Sequence, residues 1–306
     1  MSDGNEFSAE TRATGWWSTD CRRAVNGEAV EVILEKQRRK ERAPITNLPE
    51  RQQEAMQMGT FMQPTIARLF EDKHKIRVKQ FDVALSHPTE PWCKSHFDYI
   101  TEDNTALVEI KNYNLAAAVR FSEEGEPVRM PNADMAQCIH EACVARVSVV
   151  YLAVLFGGQH FRTFRVDVDD EMKAEHLKHY ATLWAHVVQN TLPDPKSGAD
   201  ARLVWPQDNG DYVLASAQCE TLVQQVKQIK AQRKLLENQE DEIGTYLQLS
   251  MGNSSEIRTI DGKTLVTWKA AKATQAFDVG TFKAQLPETY ERFIMERTGS
   301  RRLLIK

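Results

Sequence analysis

The spacing of apolar positions divides the chain into helical and extended stretches. Val30, Ile33 and Leu34 recur at helical spacing within 27–40, and Met58, Met62, Ile66, Leu69 and Phe70 do so within 49–73. These predict two helices with a Pro-containing loop at 42–49 between them. Residues 76–85, 92–100 and 105–111 are short, alternate or carry β-branched residues, and are bounded by His87-Pro88 and Glu102-Asp103-Asn104. They predict three antiparallel strands. Met135, Ile139 and Val147 share a face of a helix over 132–146, which follows an acidic Gly/Pro loop at 122–131. The apolar run 149–156 and the alternating stretch 160–168 predict a strand pair joined by Gly157-Gly158-Gln159, and a helix over 170–189 follows. This order predicts an α/β core with a central mixed sheet flanked by helices.

Leu192-Pro-Asp-Pro-Lys-Ser-Gly198 starts a linker, so the chain reads as a core over 1–195, a linker over 196–217 and an accessory module over 218–306. In that module Leu222, Val226, Ile229, Leu236, Ile243 and Leu247 follow alternating 4,3 spacing, interrupted by Arg233 and Glu240. They predict a long helix able to coil. A hairpin turning at Asp261-Gly262, a helix over 281–297 and a basic strand over 301–306 complete it. Residues 1–11 are polar and read as frayed.

Composition changes the picture modestly. With 42% hydrophobic and 27% charged residues in 306, the chain can bury a full core. A net charge of -4 excludes a histone-like coat, so any nucleic acid has to be held by local clusters. Five cysteines without a CxxC pair predict a reduced, cytoplasmic protein, and their spacing argues against an iron-sulfur cluster or a structural zinc. The longest apolar run, 149–156, is too short for a bilayer span, so no membrane partner is expected.

The candidate chemistry lies in His96-Phe-Asp98 followed by Leu107-Val-Glu109-Ile-Lys111. Pairing as a hairpin sets Asp98 across from Glu109, and the two-residue step places Glu109 and Lys111 on one strand face. Carboxylates suit a hard cation, and a lysine beside them can orient water or offset developing charge, which is the chemistry of phosphodiester hydrolysis. A solvated cross-strand ion pair explains the same spacing. His96 and His140 are secondary candidates near the site, and a lone histidine of either kind is more often packed or solvated. The basic run Lys36 to Arg42, with Arg38, Arg39 and Lys40, is the best local cluster for backbone phosphates, or else a solvated helix end.

The flanks separate these readings. Asp98, Glu109 and Lys111 have the form of the PD-(D/E)xK signature, with Phe97 in place of its leading Pro. The stretch Gly59 to Glu71, the triplet Met135-Ala136-Gln137 and the run Arg12-Ala-Thr-Gly15-Trp-Trp-Ser18-Thr19-Asp20 resemble, in the correct order, the remaining motifs of the YqaJ-type viral recombinase and lambda-exonuclease-like nucleases. The resemblance covers about 12–190, and the C-terminal segments around Val266-Thr-Trp268-Lys269 and 301–306 resemble the extension of longer YqaJ-type proteins.

That resemblance implies a restriction-endonuclease-like core and a Mg²⁺-dependent exonuclease, with Mn²⁺ able to substitute and two ions in the site. It implies digestion of linear double-stranded DNA from 5' to 3', leaving 3' single strands for a single-strand annealing protein in phage-type recombination in a bacterial cytoplasm. A homo-oligomer, with a trimeric ring as one form, belongs to the same expectation. Asp98, Glu109 and the main-chain carbonyl of Ile110 would hold metal, Lys111 would position water, Gln137 would sit beside the scissile phosphate, and Arg12 and Thr19 would contact the 5'-phosphate. Gln63 stands where the family has Glu, and its amide carbonyl is a weaker, uncharged metal ligand. Trp16 and Trp17 replace small glycines; they are either DNA-stacking rings or core residues. An end-binding scaffold with a decayed site and an endonuclease on the same core are the alternatives.

Overall fold

The computed structural model describes residues 9–41, 47–296 and 299–306. Of the segment expected to be frayed over 1–11, residues 1–8 lie outside them, as do 42–46 of the expected loop, with Arg42, and 297–298; residues 9–11 are helical, contrary to that expectation. The chain forms two compact units, Met1–Trp205 and Pro206–Lys306.

The first unit begins with α1 (Ala9–Ala13), β1 (Trp16–Trp17), α2 (Ser18–Arg23) and α3 (Ala29–Lys36). The expected helix over 27–40 is shorter because Arg38 takes a left-handed φ of 58° and ends it. The long α4 (Glu50–His74) matches its expected span and stops at Lys75, also left-handed. Strands β2 (Val78–Gln80), β3 (Ala84–Ser86), β4 (Cys93–His96), β5 (Tyr99–Thr101) and β6 (Ala106–Tyr113) follow. Then come α5 (Asn132–Ala145), β7 (Val149–Phe156), β8 (His160–Asp167), α6 (Asp170–Gln189) and α7 (Gly198–Val204). Gly157 and Gly158 both take positive φ, which the tight turn between β7 and β8 requires.

The main sheet has the order β2-β5-β6-β7-β8, antiparallel except for the central parallel pair β6 and β7. A parallel pair needs a crossover, and α5 lies within that connection. The period of two along β6 sorts its side chains. Val108 and Ile110 pack under Ile66 and Phe70 of α4, whereas Leu107 joins Cys138 and Ala142 of α5 on the opposite side. Glu109 and Lys111, in phase with Leu107, therefore belong to the α5 side of the sheet.

Two of the three strands expected at 76–111 are broken. Each changes sheet, because β3 and β4 join β1 in a second sheet ordered β1-β4-β3 while β2 and β5 pair in the main one. The breaks fall at 81–83 and 97–98, where Phe81 and Phe97 stack with centroids 5.4 Å apart and fill the bend. The segment expected as the start of the linker holds α7, capped by Ser197, so the first unit runs past residue 195.

The second unit contains α8 (Ala217–Met251), the antiparallel pair β9 (Glu256–Arg258) and β10 (Thr264–Thr267), α9 (Val279–Gln285) and α10 (Pro287–Arg292). Pro287 divides the helix expected over 281–297, since it lacks an N–H and holds Leu286 out of the helical region. Residues 301–306 form no strand, contrary to the expected basic strand. Among the described residues no helix is long and apolar enough to cross a membrane.

Candidate active site

The β-ladder between β5 and β6 ends at the pair Tyr99 and Val108, so Asp98 lies one step beyond it, opposite Glu109. Freed from the ladder by the strand break, the Asp98 carboxylate accepts the Ile110 N–H at 2.9 Å and the Gln63 side-chain amide at 2.8 Å. The Ile110 carbonyl leaves the strand on the same edge as its N–H, toward Asp98. Glu109 is buried at 4% exposure and receives the Lys111 ammonium and the Gln137 amide, the latter at 2.6 Å. Gln63, Asp98, Glu109, Ile110, Lys111 and Gln137 line one cleft of about 200 Å³.

The opposite part of that cleft is built by the N-terminal segment, with Arg12, Trp17, Ser18 and Thr19 in its wall. Arg12 Nη1 donates to Thr19 Oγ1 at 3.1 Å, so the two expected phosphate contacts form one polar group beside the carboxylates. The tryptophans are not stacking platforms. Trp16 is fully buried against Tyr180 and Trp17 is 7% exposed, so their rings serve the core, with Trp17 only edging the cleft. The basic run is divided in the same way. Lys36 is a buried ion-pair partner of Asp20, while Lys40 pairs with Glu31. Arg38 and Lys40 line a neighbouring cleft that shares Arg12, and Arg39 is exposed. His96 lines the cleft that holds Asp98 and Glu109 and lies 2.6 Å from Asp82. His140 is fully buried and does not line it.

Sequence reasoning missed the polar layer behind the carboxylates. Arg22 binds Asp134, donates to the Tyr113 hydroxyl at 2.9 Å and to Gln137 Oε1 at 3.2 Å, and Tyr113 donates to Asp134 at 2.6 Å. Gln137 also donates to Glu141 at 2.8 Å. Asp134, Gln137 and Glu141 follow 3,4 spacing on α5, a polar stripe on a largely apolar helix, which was the available signal. The amide of Gln137 is fully engaged by Glu109, Glu141 and Arg22, so it orients Glu109 as well as bordering the cleft. Gln63 presents its N–H to Asp98, where the sequence suggested its carbonyl toward a metal.

The electrostatics of the carboxylates fit a divalent cation. Burial, reinforced by the Glu109 charge, pushes the Asp98 carboxyl up to about 8. Glu141 is also raised well above the usual carboxylate range, by burial first and Glu109 second. Lys111 is pulled down by burial, but the Glu109 charge outweighs this and its net shift is upward. The acids are therefore under-compensated by one ammonium, and the available donors, two carboxylates and the Ile110 main-chain carbonyl, are all hard oxygens suited to Mg²⁺.

A mixed sheet that brings one acid from a strand break against an acid-x-Lys step on its central strand is the PD-(D/E)xK core, of the restriction-endonuclease-like fold. Residues 9–148 match the YqaJ-like viral recombinase domain family. The uncharacterized protein YqaJ of Bacillus subtilis (strain 168) is 25% identical over 309 residues, covering 95% of this chain and 93% of that protein. Among solved structures, the alkaline exonuclease LHK-Exo from Laribacter hongkongensis is 16% identical with a TM-score of 0.48, covering 59% of this chain and 91% of its own. A phage related exonuclease from Haemophilus somnus 129PT is 9% identical with a TM-score of 0.40, covering 55% and 81%.

Proposed function

We propose that the protein is a Mg²⁺-dependent exonuclease that digests linear double-stranded DNA from a 5' end and leaves 3' single strands. The observation that carries this reading is the shared cleft, in which Arg12 and Thr19 face the Asp98, Glu109 and Lys111 constellation. Asp98, Glu109 and the Ile110 carbonyl would hold the cation, with two ions expected for this chemistry; Mn²⁺ would serve as a substitute. Bound there, the cation supplies polarisation of the phosphate and a lowered pKa for an attacking water. Lys111 orients that water and offsets charge on the phosphate oxygens. Gln137 holds Glu109 in place, and Arg22 holds Gln137. Arg12 with Thr19 binds a terminal phosphate, which favours an end-dependent enzyme over an endonuclease on the same core. Assembly into a homo-oligomer, with a trimer as one form, and delivery of the 3' strand to a single-strand annealing protein belong to the same proposal, supported by the viral-recombinase family match.

A digestion time course tests it with 5'-phosphorylated linear duplex, 5'-hydroxyl linear duplex and covalently closed circles, with and without Mg²⁺. Fastest loss of the phosphorylated duplex is expected, with circles intact and no reaction without the cation. Cleavage of circles at the same rate would overturn the end-dependent reading.

The contact between Gln63 and Asp98 also favours a second reading, an end-binding recombination scaffold with a weakened nuclease site. The substitution Gln63→Glu separates the two. In a working nuclease it adds an anionic ligand and lowers the Mg²⁺ concentration needed for half-maximal digestion. In a decayed site it creates digestion where the parent protein shows none. An unchanged Mg²⁺ requirement would remove Gln63 from the cation site.

A further inference from the structure

A second cluster lies behind the active site, on three helices. Cys21 of α2, His140 of α5 and His176 of α6 are all buried, and their ligand atoms lie within 4.8 Å of one another. Cys21 Sγ is 3.2 Å from His140 Nδ1 and 3.9 Å from His176 Nε2, and the two ring nitrogens are 3.1 Å apart. Donors held tetrahedrally at zinc distances stand about 3.3–3.6 Å apart, so these three edges bracket the spacing a single ion imposes. We propose that Cys21, His140 and His176 bind one zinc ion, which joins α2, α5 and α6 as a structural clamp.

Hydrogen bonding favours the same conclusion. With Nε2 of His140 3.0 Å from the Lys94 carbonyl, Nδ1 is the nitrogen that faces Cys21 and His176. Orienting a ligand histidine through its other nitrogen is the usual support of a metal site. The Cys21 sulfur and His176 Nε2 both approach that nitrogen, and one cation accepts lone pairs from all three donor atoms at once. Burial holds the His140 imidazole down to about 4 and His176 down to about 2, so both rings are neutral ligands. Burial raises the Cys21 thiol, and metal binding would release its proton.

This ion is distinct from the catalytic cations in ligand type and in place. Cys21 lies two residues from Thr19 and next to Arg22, while His140 sits between Gln137 and Glu141 on α5. The clamp would therefore fix the two elements that build opposite walls of the cleft.

The test uses the full chain purified from zinc-supplemented cells, with metal content measured after removal of loosely bound ions. About one zinc per chain is expected. Exchange with Co²⁺ should give tetrahedral ligand-field bands and a sulfur-to-cobalt charge-transfer band. Cys21→Ala and His176→Ala should reduce the bound zinc to near zero, whereas Asp98→Ala should leave it in place. Wild-type protein without zinc and without the cobalt charge-transfer band would overturn the proposal. Zinc that survives Cys21→Ala, or that leaves with Asp98→Ala, would also overturn it. If the cluster variants do not fold, the wild-type cobalt spectrum decides alone.

Discussion

Lys111→Ala is expected to slow digestion of linear duplex by about 10²–10⁴-fold, the range lost when a proton-handling or charge-stabilising group is removed from a phosphate-cleaving site. The ammonium binds the buried Glu109 carboxylate and lies on the same face of β6, in the cleft with Asp98. Its loss has two separable effects. Glu109 is left buried without its cation, which weakens the metal-free protein by several kcal/mol. Added Mg²⁺ restores most of that stability because it supplies the missing positive charge, but it does not restore the orientation of water. Single-turnover digestion with DNA bound in advance, read beside melting temperature with and without Mg²⁺, resolves the two. A variant that regains both stability and rate on Mg²⁺ addition would show that Lys111 only neutralises Glu109. End binding through Arg12 and Thr19 should be far less affected, since those residues come from α1 and α2 and not from β6.

The hairpin that carries Asp98, Glu109 and Lys111 was legible because it is local. The acid-x-Lys step, the opposing acid eleven residues earlier and the 3.6-residue period of α4, α5 and α6 all follow from short-range spacing. The break at Phe97 and Asp98 was not legible, because alternation over 92–100 is the same whether one strand stays in a sheet or passes between two. That break is what frees Asp98 to reach the Ile110 N–H. The second cluster was hidden for a different reason. Cysteine spacing argued against structural zinc, yet Cys21, His140 and His176 are more than a hundred residues apart at their widest and meet only through the packing of α2, α5 and α6. The polar stripe Asp134, Gln137 and Glu141 was visible as a pattern, but only its partner Arg22, brought from α2, shows that it supports the site.

Burial also reversed the reading of Lys36, and this leads to the second large effect. As the first member of a basic run it suggested a phosphate contact; instead its ammonium sits 2.6 Å from Asp20, with both side chains about 5% exposed or less. Burial lowers its pKa while the Asp20 charge acts against that shift. The same ammonium donates to the carbonyls of Arg12 at 2.9 Å and Gly15 at 2.6 Å. Asp20 in turn accepts the Trp17 N–H at 2.8 Å. One buried pair therefore fixes the turn that carries Arg12 toward the cleft. Lys36→Met removes the cation and leaves Asp20 uncompensated in the interior, so a loss of about 3–5 kcal/mol in unfolding free energy is expected. Adding Asp20→Asn keeps an acceptor for Trp17 and removes the stranded charge, so the double variant should be more stable than Lys36→Met alone. Its recovery should be incomplete in function, because the carbonyls of Arg12 and Gly15 remain without their donor. Denaturant unfolding measures the first effect, and the ratio of rates on 5'-phosphoryl and 5'-hydroxyl ends measures the second. If Lys36→Met were as stable as wild type, the pair would not be holding this turn; if stability fell but the end preference stayed intact, the turn would not be what positions Arg12.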